Sequence, residues 1–163
     1  MRVTTRQLSF AAMFAALSFI LRFTAFTTLE YRFTFDDIAL LAAGMVLGPV
    51  LGLITGFVAD VIYSLLMGFP LGIFTLASMS WGFIAGLLLY NRPLTLPRIT
   101  TAVLITSIVA FLITTLALFQ LFNTGIFAGL PARLVTLSIK WPVQIGILFV
   151  LATRVVPALS RHQ

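Results

Sequence analysis

One acidic residue, Asp60, lies in the middle of an apolar stretch at 50–67, where an ionised carboxylate is costly unless it is paired. The last apolar stretch supplies candidate partners, because Arg133, Lys140 and Gln144 fall close to one stripe when successive residues turn by about 100°. Lys140 is expected at the depth of Asp60. One interpretation is a structural charge pair between Asp60 and Lys140. The other is a stripe that lines a cavity open to the outside and binds an anionic ligand.

A second group of residues could contact a flat ligand. Phe74, Ser78 and Trp81 follow at i, i+4 and i+7, which places them on one helical face. Such a face is typical of a core or lipid-facing stripe. Together with Tyr31 and Phe33 from a preceding loop, it could equally form the wall of a site for an aromatic ligand.

Small residues recur at intervals of four, which lets helices approach closely in lipid. The first apolar stretch holds the pairs Ala11/Ala15 and Ala12/Ala16, which predict either packing inside the protein or a contact with another subunit. Glycines at the same spacing predict packing within a helix bundle, and they are Gly44, Gly48, Gly52, Gly56, Gly82 and Gly86.

Several kinds of chemistry are excluded. There is no cysteine, and the one histidine is His162, so neither a thiolate metal site nor a Ser-His-Asp triad can form. Asp36 and Asp37 are adjacent and would point about 100° apart on a helix, which does not suit an acid/base pair. No G-x-x-x-x-G-K-[ST] phosphate loop is present. We therefore predict neither an enzyme nor a metal site.

The composition determines which elements must position these residues. The 163 residues are 61% hydrophobic and only 9% charged, whereas soluble domains carry about 25% charged residues. This predicts one domain over 1–163, an all-α integral membrane protein built as a compact bundle of six transmembrane helices. The predicted helices cover about 7–24, 38–48, 50–67, 71–90, 99–121 and 132–153, with a polar loop at 25–36. A single bent helix in place of the second and third is the competing interpretation.

The charges predict the orientation in the membrane. With six spans, both termini and the 91–98 loop share one side, which holds six arginines and no acid, whereas Glu30, Asp36 and Asp37 lie on the other. The positive-inside rule then places both termini in the cytoplasm. The net charge of +6 is thus explained by topology, and we expect no binding to nucleic acid.

The segment from Arg32 to Asp60, RFTFDDIALLAAGMVLGPVLGLITGFVAD, joins a basic aromatic loop to a Gly-x-x-x-Gly-Pro turn and a Gly-x-x-x-Asp pattern. In these features the sequence resembles the substrate-binding S components of energy-coupling factor (ECF) vitamin transporters, in particular the folate-specific branch. The alanine pairs match the family's A-x-x-x-A docking motif. The Leu130-Pro-Ala-Arg133 segment, with Pro142 and Gln144 beyond it, is also similar to the folate branch.

The resemblance implies a substrate-specific transport subunit in the bacterial cytoplasmic membrane. Such a protein binds its vitamin from outside and docks to a membrane coupling subunit and two cytoplasmic ATPase subunits. It has no cofactor of its own, since the partner subunits use the ATP. The docking face implied here comprises Ala11, Ala12, Ala15 and Ala16, and Asp60 is expected to be a structural charge.

For folate, cations are needed at the mouth of the site and aromatic walls at the pterin end. The substrate-binding residues expected on this basis are Arg32, Arg133, Lys140, Gln144, Phe74, Ser78, Trp81 and Tyr31. Two alternatives stay open at this point. The ligand could be another vitamin or precursor, such as pantothenate or a pyrimidine precursor. More distantly, the chain could be a small intramembrane enzyme.

Overall fold

Six α-helices and one short hairpin make up the structure, a computed structural model that describes residues 4–24, 26–27, 32–68, 71–122 and 130–155. The helices are α1 (Thr5–Phe23), α2 (Asp36–Leu47), α3 (Pro49–Met67), α4 (Ile73–Leu89), α5 (Leu96–Phe122) and α6 (Leu130–Val150), with a π-helical turn at Leu151–Val155. The predicted all-α bundle of six helices is confirmed. The loop between α1 and α2 adds an antiparallel hairpin of β1 (Phe26–Thr27) and β2 (Arg32–Phe33), which was not predicted.

Local sequence explains where several helices begin and end. Thr4 and Gln7 form a capping box at the start of α1, each side chain bonding the backbone N–H of the other residue. Pro49 is the first residue of α3, where its missing N–H costs nothing. Gly68 ends α3 in the left-handed conformation with φ of 70°, which glycine adopts without strain.

The chain folds back between α2 and α3, which excludes the single bent helix. Gly48 has φ of 88°, and a Cβ built on Gly52 would lie 2.9 Å from the Cα of Gly44. The two helices therefore pack against each other on either side of the turn. With 12 residues, α2 is about 18 Å long, shorter than the roughly 30 Å hydrocarbon core of a bilayer.

Glycines bring α4 into contact with the α2–α3 pair. A Cβ on Gly82 would lie 2.1 Å from the backbone oxygen of Gly52, and one on Gly44 would lie 2.2 Å from that of Gly82. A Cβ on Gly56 would lie 2.4 Å from the backbone oxygen of Ser78. The predicted glycine packing is thus seen, and it brings Ser78 of α4 next to the turn of α3 that carries Asp60.

The core surrounds α2, whose residues 37–45 are all buried. Leu40 and Leu41 are fully buried, as are Ile99 and Val103 on α5 and Leu148 on α6. Apolar side chains also cover the outer surface, and four described helices (α1, α3, α5 and α6) are long and apolar enough to cross a membrane. The chain is a multi-pass membrane protein. The cytoplasmic placement of both termini stays a prediction.

Candidate functional site

A cavity of about 330 Å³ opens at the end of the bundle where α1 ends and α2 begins. Side chains from five helices surround it, with one further residue, Thr34, from the segment that precedes α2. The lining residues are Arg22, Thr34, Asp36, Asp60, Tyr63, Ser64, Phe74, Ala77, Ser78, Trp81 and Thr114. The wall therefore combines aromatic rings with a compact group of charged side chains.

Arg22 is at the centre of the charged group. Its Nε donates to Asp36 Oδ2 at 2.7 Å, its Nη1 to Asp60 Oδ1 at 2.7 Å, and its Nη2 to Ser78 Oγ at 2.8 Å. The guanidinium carbon lies 5.1 Å from the centroid of the Tyr63 ring, within cation–π range. Contacts with three helices and a ring hold this guanidinium in one orientation.

Asp60 retains a hydrogen-bonding capacity that the described residues do not use. Its Oδ1 accepts from Arg22 and from Ser78 Oγ, the latter at 2.9 Å. Its Oδ2 is buried and has no hydrogen-bond partner among the described residues. A buried acceptor without a partner is costly, so a ligand with an N–H group could gain affinity at this point. Because two carboxylates, Asp36 and Asp60, surround one guanidinium, the described charges here favour a hydrogen-bond donor over an anion.

A second polar cluster connects α2 to α6. Asp37 Oδ2 accepts hydrogen bonds from Lys140 Nζ and from Gln144 Nε2, the latter at 2.8 Å. Asp37 and Gln144 are buried, and the Lys140 side chain is 12% exposed. None of the three lines the described cavity.

The predicted pair between Asp60 and Lys140 is wrong. Asp60 pairs with Arg22, and Lys140 pairs with Asp37. The reason is that Asp37 of α2 lies next to Lys140 of α6. The prediction compared only the depths of Asp60 and Lys140 in the membrane and did not consider a carboxylate from α2. Asp60 is therefore more than a structural charge, since it also lines the cavity.

Sequence reasoning missed Arg22, Asp36 and Asp37 as members of the two clusters. One signal was available for Arg22, namely its position on the helical face of Ala11, Ala15 and Ser18. It follows these residues at i+11, i+7 and i+4, and all three are buried in α1.

The predicted binding residues divide into three groups. Phe74, Ser78 and Trp81 line the cavity together. Arg133 donates from Nη1 to Thr115 Oγ1 at 3.4 Å, and Thr115 follows the cavity-lining Thr114 in the sequence. Lys140 and Gln144 form the third group and bind Asp37. Tyr31 and the side chain of Arg32 lie outside the described residues, and only the backbone of Arg32 is placed, in β2.

The four alanines of α1 lie on two different faces. Ala11 and Ala15 are 6% and 4% exposed. They pack inside the bundle, Ala11 near Leu47 and Ala15 near Leu40, which corrects their prediction as interface residues. Ala12 and Ala16 are exposed and stay accessible to a partner.

In the part of the chain that the structure describes, no group of three or more His, Asp or Glu side chains is placed to hold a metal ion. The cavity itself offers a carboxylate oxygen, a fixed guanidinium and aromatic walls, a combination suited to binding an organic molecule.

Comparisons with known proteins agree with this description. The sequence model of the family described as "ECF transporter, substrate-specific component" matches residues 6–156. Among solved structures, the chain is similar to a crystal structure of FolT bound with folic acid, with a TM-score of 0.84 and 26% sequence identity. The match covers 93% of this chain and 95% of that one. No curated protein matches in sequence.

Proposed function

The chain belongs to the family of ECF transporter substrate-specific components, and we propose that it binds folate or a related pterin and delivers it inward. The observation that carries the choice of ligand is the buried, unpartnered Oδ2 of Asp60 in an aromatic-walled cavity. Similarity to the FolT structure with folic acid supports the same ligand.

The chemistry of a pterin suits these groups. Its pyrimidinone edge carries a ring N–H beside an amino group. Both groups can donate hydrogen bonds to a carboxylate oxygen such as Asp60 Oδ2. The remaining N–H groups of Arg22 can donate to a ring acceptor of the ligand. Phe74 and Trp81 provide faces against which a flat ring stacks.

The charges also determine which end of the ligand lies near Asp60. The glutamate tail of folate carries two carboxylates, which the excess of acid around Arg22 repels. The tail is therefore placed away from Asp60. Arg133 and Arg32 are the proposed cations for it, because arginine can donate two parallel hydrogen bonds to a carboxylate.

The partners are proposed from the family. A membrane coupling subunit and two cytoplasmic ATPase subunits complete the transporter, and this chain has no cofactor or catalytic activity of its own. Ala12 and Ala16 of α1 form the docking face. The location is the bacterial cytoplasmic membrane. With both termini in the cytoplasm, the cavity opens outward, which suits capture from the medium.

The alternatives fit less well. Pantothenate is an anion without a paired N–H donor edge, so the carboxylates of Asp36 and Asp60 disfavour it. An intramembrane hydrolase would need a carboxylate outside an ion pair to act as its base, whereas Asp36 and Asp60 are both ion-paired with Arg22.

The test is to purify the chain in detergent and identify any small molecule that co-purifies by mass spectrometry. Folic acid, pteroic acid and pantothenate are then titrated by calorimetry. Tight binding of folic acid with no heat from pantothenate is the expected result. Binding of pantothenate alone, or turnover of a substrate by the isolated chain, would overturn the proposal.

A further inference from the structure

Two adjacent aspartates at the start of α2 bind different helices. Asp36 accepts the Nε–H of Arg22 on α1 at 2.7 Å. Asp37 accepts hydrogen bonds from Lys140 and Gln144 on α6. Because consecutive helical side chains point about 100° apart, the first turn of α2 is held from two sides.

The contact on the α6 side is buried and charged. The Asp37 and Lys140 side chains are 5% and 12% exposed. Loss of the lysine charge would leave a buried carboxylate whose Oδ1 already has no hydrogen-bond partner among the described residues. Phe35, at the N-cap of α2, makes no side-chain hydrogen bond that could hold the turn instead. Lys140 and Gln144 are therefore the described contacts that hold Asp37, and with it this turn, toward α6.

The orientation of Arg22 depends in turn on Asp36. The Nε contact fixes the plane of the guanidinium, which directs Nη1 to Asp60 and Nη2 to Ser78. A hydrogen bond to a carboxylate is lost when the donor and acceptor separate by about 1 Å beyond their usual distance. A small movement of the first turn of α2 is therefore enough to release Arg22 on one side.

We propose that Lys140 is a positioning residue for ligand binding, although it does not line the described cavity. Lys140 fixes Asp37, the turn that carries Asp37 also carries Asp36, and Asp36 orients Arg22 beside the free oxygen of Asp60. The inference rests on the proposed function of the cavity. It connects α6 to the site through α2.

Affinity for folic acid tests the first step. Lys140→Met keeps the length of the side chain and removes its charge, and we expect about tenfold weaker binding at a temperature well below unfolding. Ser138→Ala is the control on the same helix, since Ser138 is exposed and bonds only backbone in the described contacts. The double variant Lys140→Met/Asp37→Asn leaves no unpaired charge and should recover most of the affinity. Parent-like binding by folded Lys140→Met would overturn the proposal.

A double-mutant cycle tests the route to Arg22. Lys140→Met and Asp36→Asn both act on the same Nε contact, so the combined variant should bind no more weakly than the weaker of the two single variants. Losses that simply multiply would mean that Lys140 acts elsewhere, and the proposal would fail. A residue with only a structural role would lower the melting temperature without producing this non-additivity in affinity.

A measurement without ligand separates this proposal from the proposed function. The chain has no cysteine, so a single Ser64→Cys in the cavity wall reports access to maleimide. Lys140→Met should increase the rate of labelling at this position and leave it unchanged at Thr101→Cys, an exposed site on α5. If the parent fails to bind folic acid while labelling still responds to Lys140→Met, the proposed ligand is wrong and the positioning role stands. Unchanged labelling at Ser64→Cys overturns the positioning role.

Discussion

At the scale of residues, the site is defined by an imbalance between acids and a base. Arg22 is surrounded by the carboxylates of Asp36 and Asp60 and by the hydroxyl of Ser78. These groups are buried or half-buried, and an unused hydrogen-bonding group is costly where water is excluded. Oδ2 of Asp60 has no hydrogen-bond partner among the described residues, so we expect affinity to depend on donors that the ligand presents there.

The change Asp60→Asn tests this dependence. An amide presents either an oxygen or an NH₂ group at the Oδ2 position and carries no charge, so folic acid should lose roughly 1.5–3 kcal/mol of binding free energy in calorimetry. Ser78→Ala keeps the Asp60 charge and should cost less. A large fall in melting temperature with unchanged affinity would mean that Asp60 only supports the bundle.

Arg133 allows a test of where the ligand tail lies. Arg133→Ala should weaken folic acid by roughly 2 kcal/mol, the scale of a lost charged hydrogen bond. Pteroic acid, which lacks the glutamate, should be affected much less in the same titration. Equal losses for both ligands would show that Arg133 holds α6 to Thr115 of α5 and does not bind the tail.

At the scale of elements, the glycine crossing of α4 with α2 and α3 builds the site. Gly56 lies one turn before Asp60, and the backbone oxygen of Ser78 occupies the space that a Cβ on Gly56 would need. A wider separation of the helices would remove Ser78 from both Arg22 and Asp60. The small residues that let helices pack thus also set the distances within the charged cluster.

Gly82→Ala and Gly146→Ala form a matched pair for this argument. The new Cβ at Gly82 would lie 2.1 Å from the backbone oxygen of Gly52, whereas the one at Gly146 meets nothing within 4 Å. We expect Gly82→Ala to lower the free energy of unfolding by about 3 kcal/mol, because backbone atoms must move. Gly146→Ala should leave the melting temperature unchanged or raise it. Similar melting temperatures for the two variants would contradict the crossing.

At the scale of the whole molecule, α1 has one face inside the bundle and one face on its outer surface. Its face with Ala11, Ala15 and Arg22 packs inward and contributes to the cavity, whereas Ala12 and Ala16 are exposed. A partner that docks on the exposed alanines therefore contacts the helix that also carries the central arginine of the site.

Replacement of the exposed alanines separates binding from transport. Ala16→Leu should block uptake of folic acid into cells or vesicles that contain the coupling module, because the added side chain prevents close approach of a partner helix. Affinity of the purified chain should not change. Ala15→Leu should instead lower the melting temperature, since Ala15 is buried. Normal uptake by Ala16→Leu would remove this face as the docking surface.

The sequence alone determined the class of protein, the number of helices and much of the aromatic wall. These features follow from local patterns, which do not depend on how the helices are arranged. The patterns are the long apolar stretches, the Gly48-Pro49 turn and the spacing of Phe74, Ser78 and Trp81. The choice of charge partners depended on tertiary structure, since Asp60 could pair with any cation at a similar depth. Only the packing of α1, α2 and α4 around α3 decided that Asp60 pairs with Arg22, because an ion pair forms where helix rotation and close glycine contacts bring the groups within 3 Å.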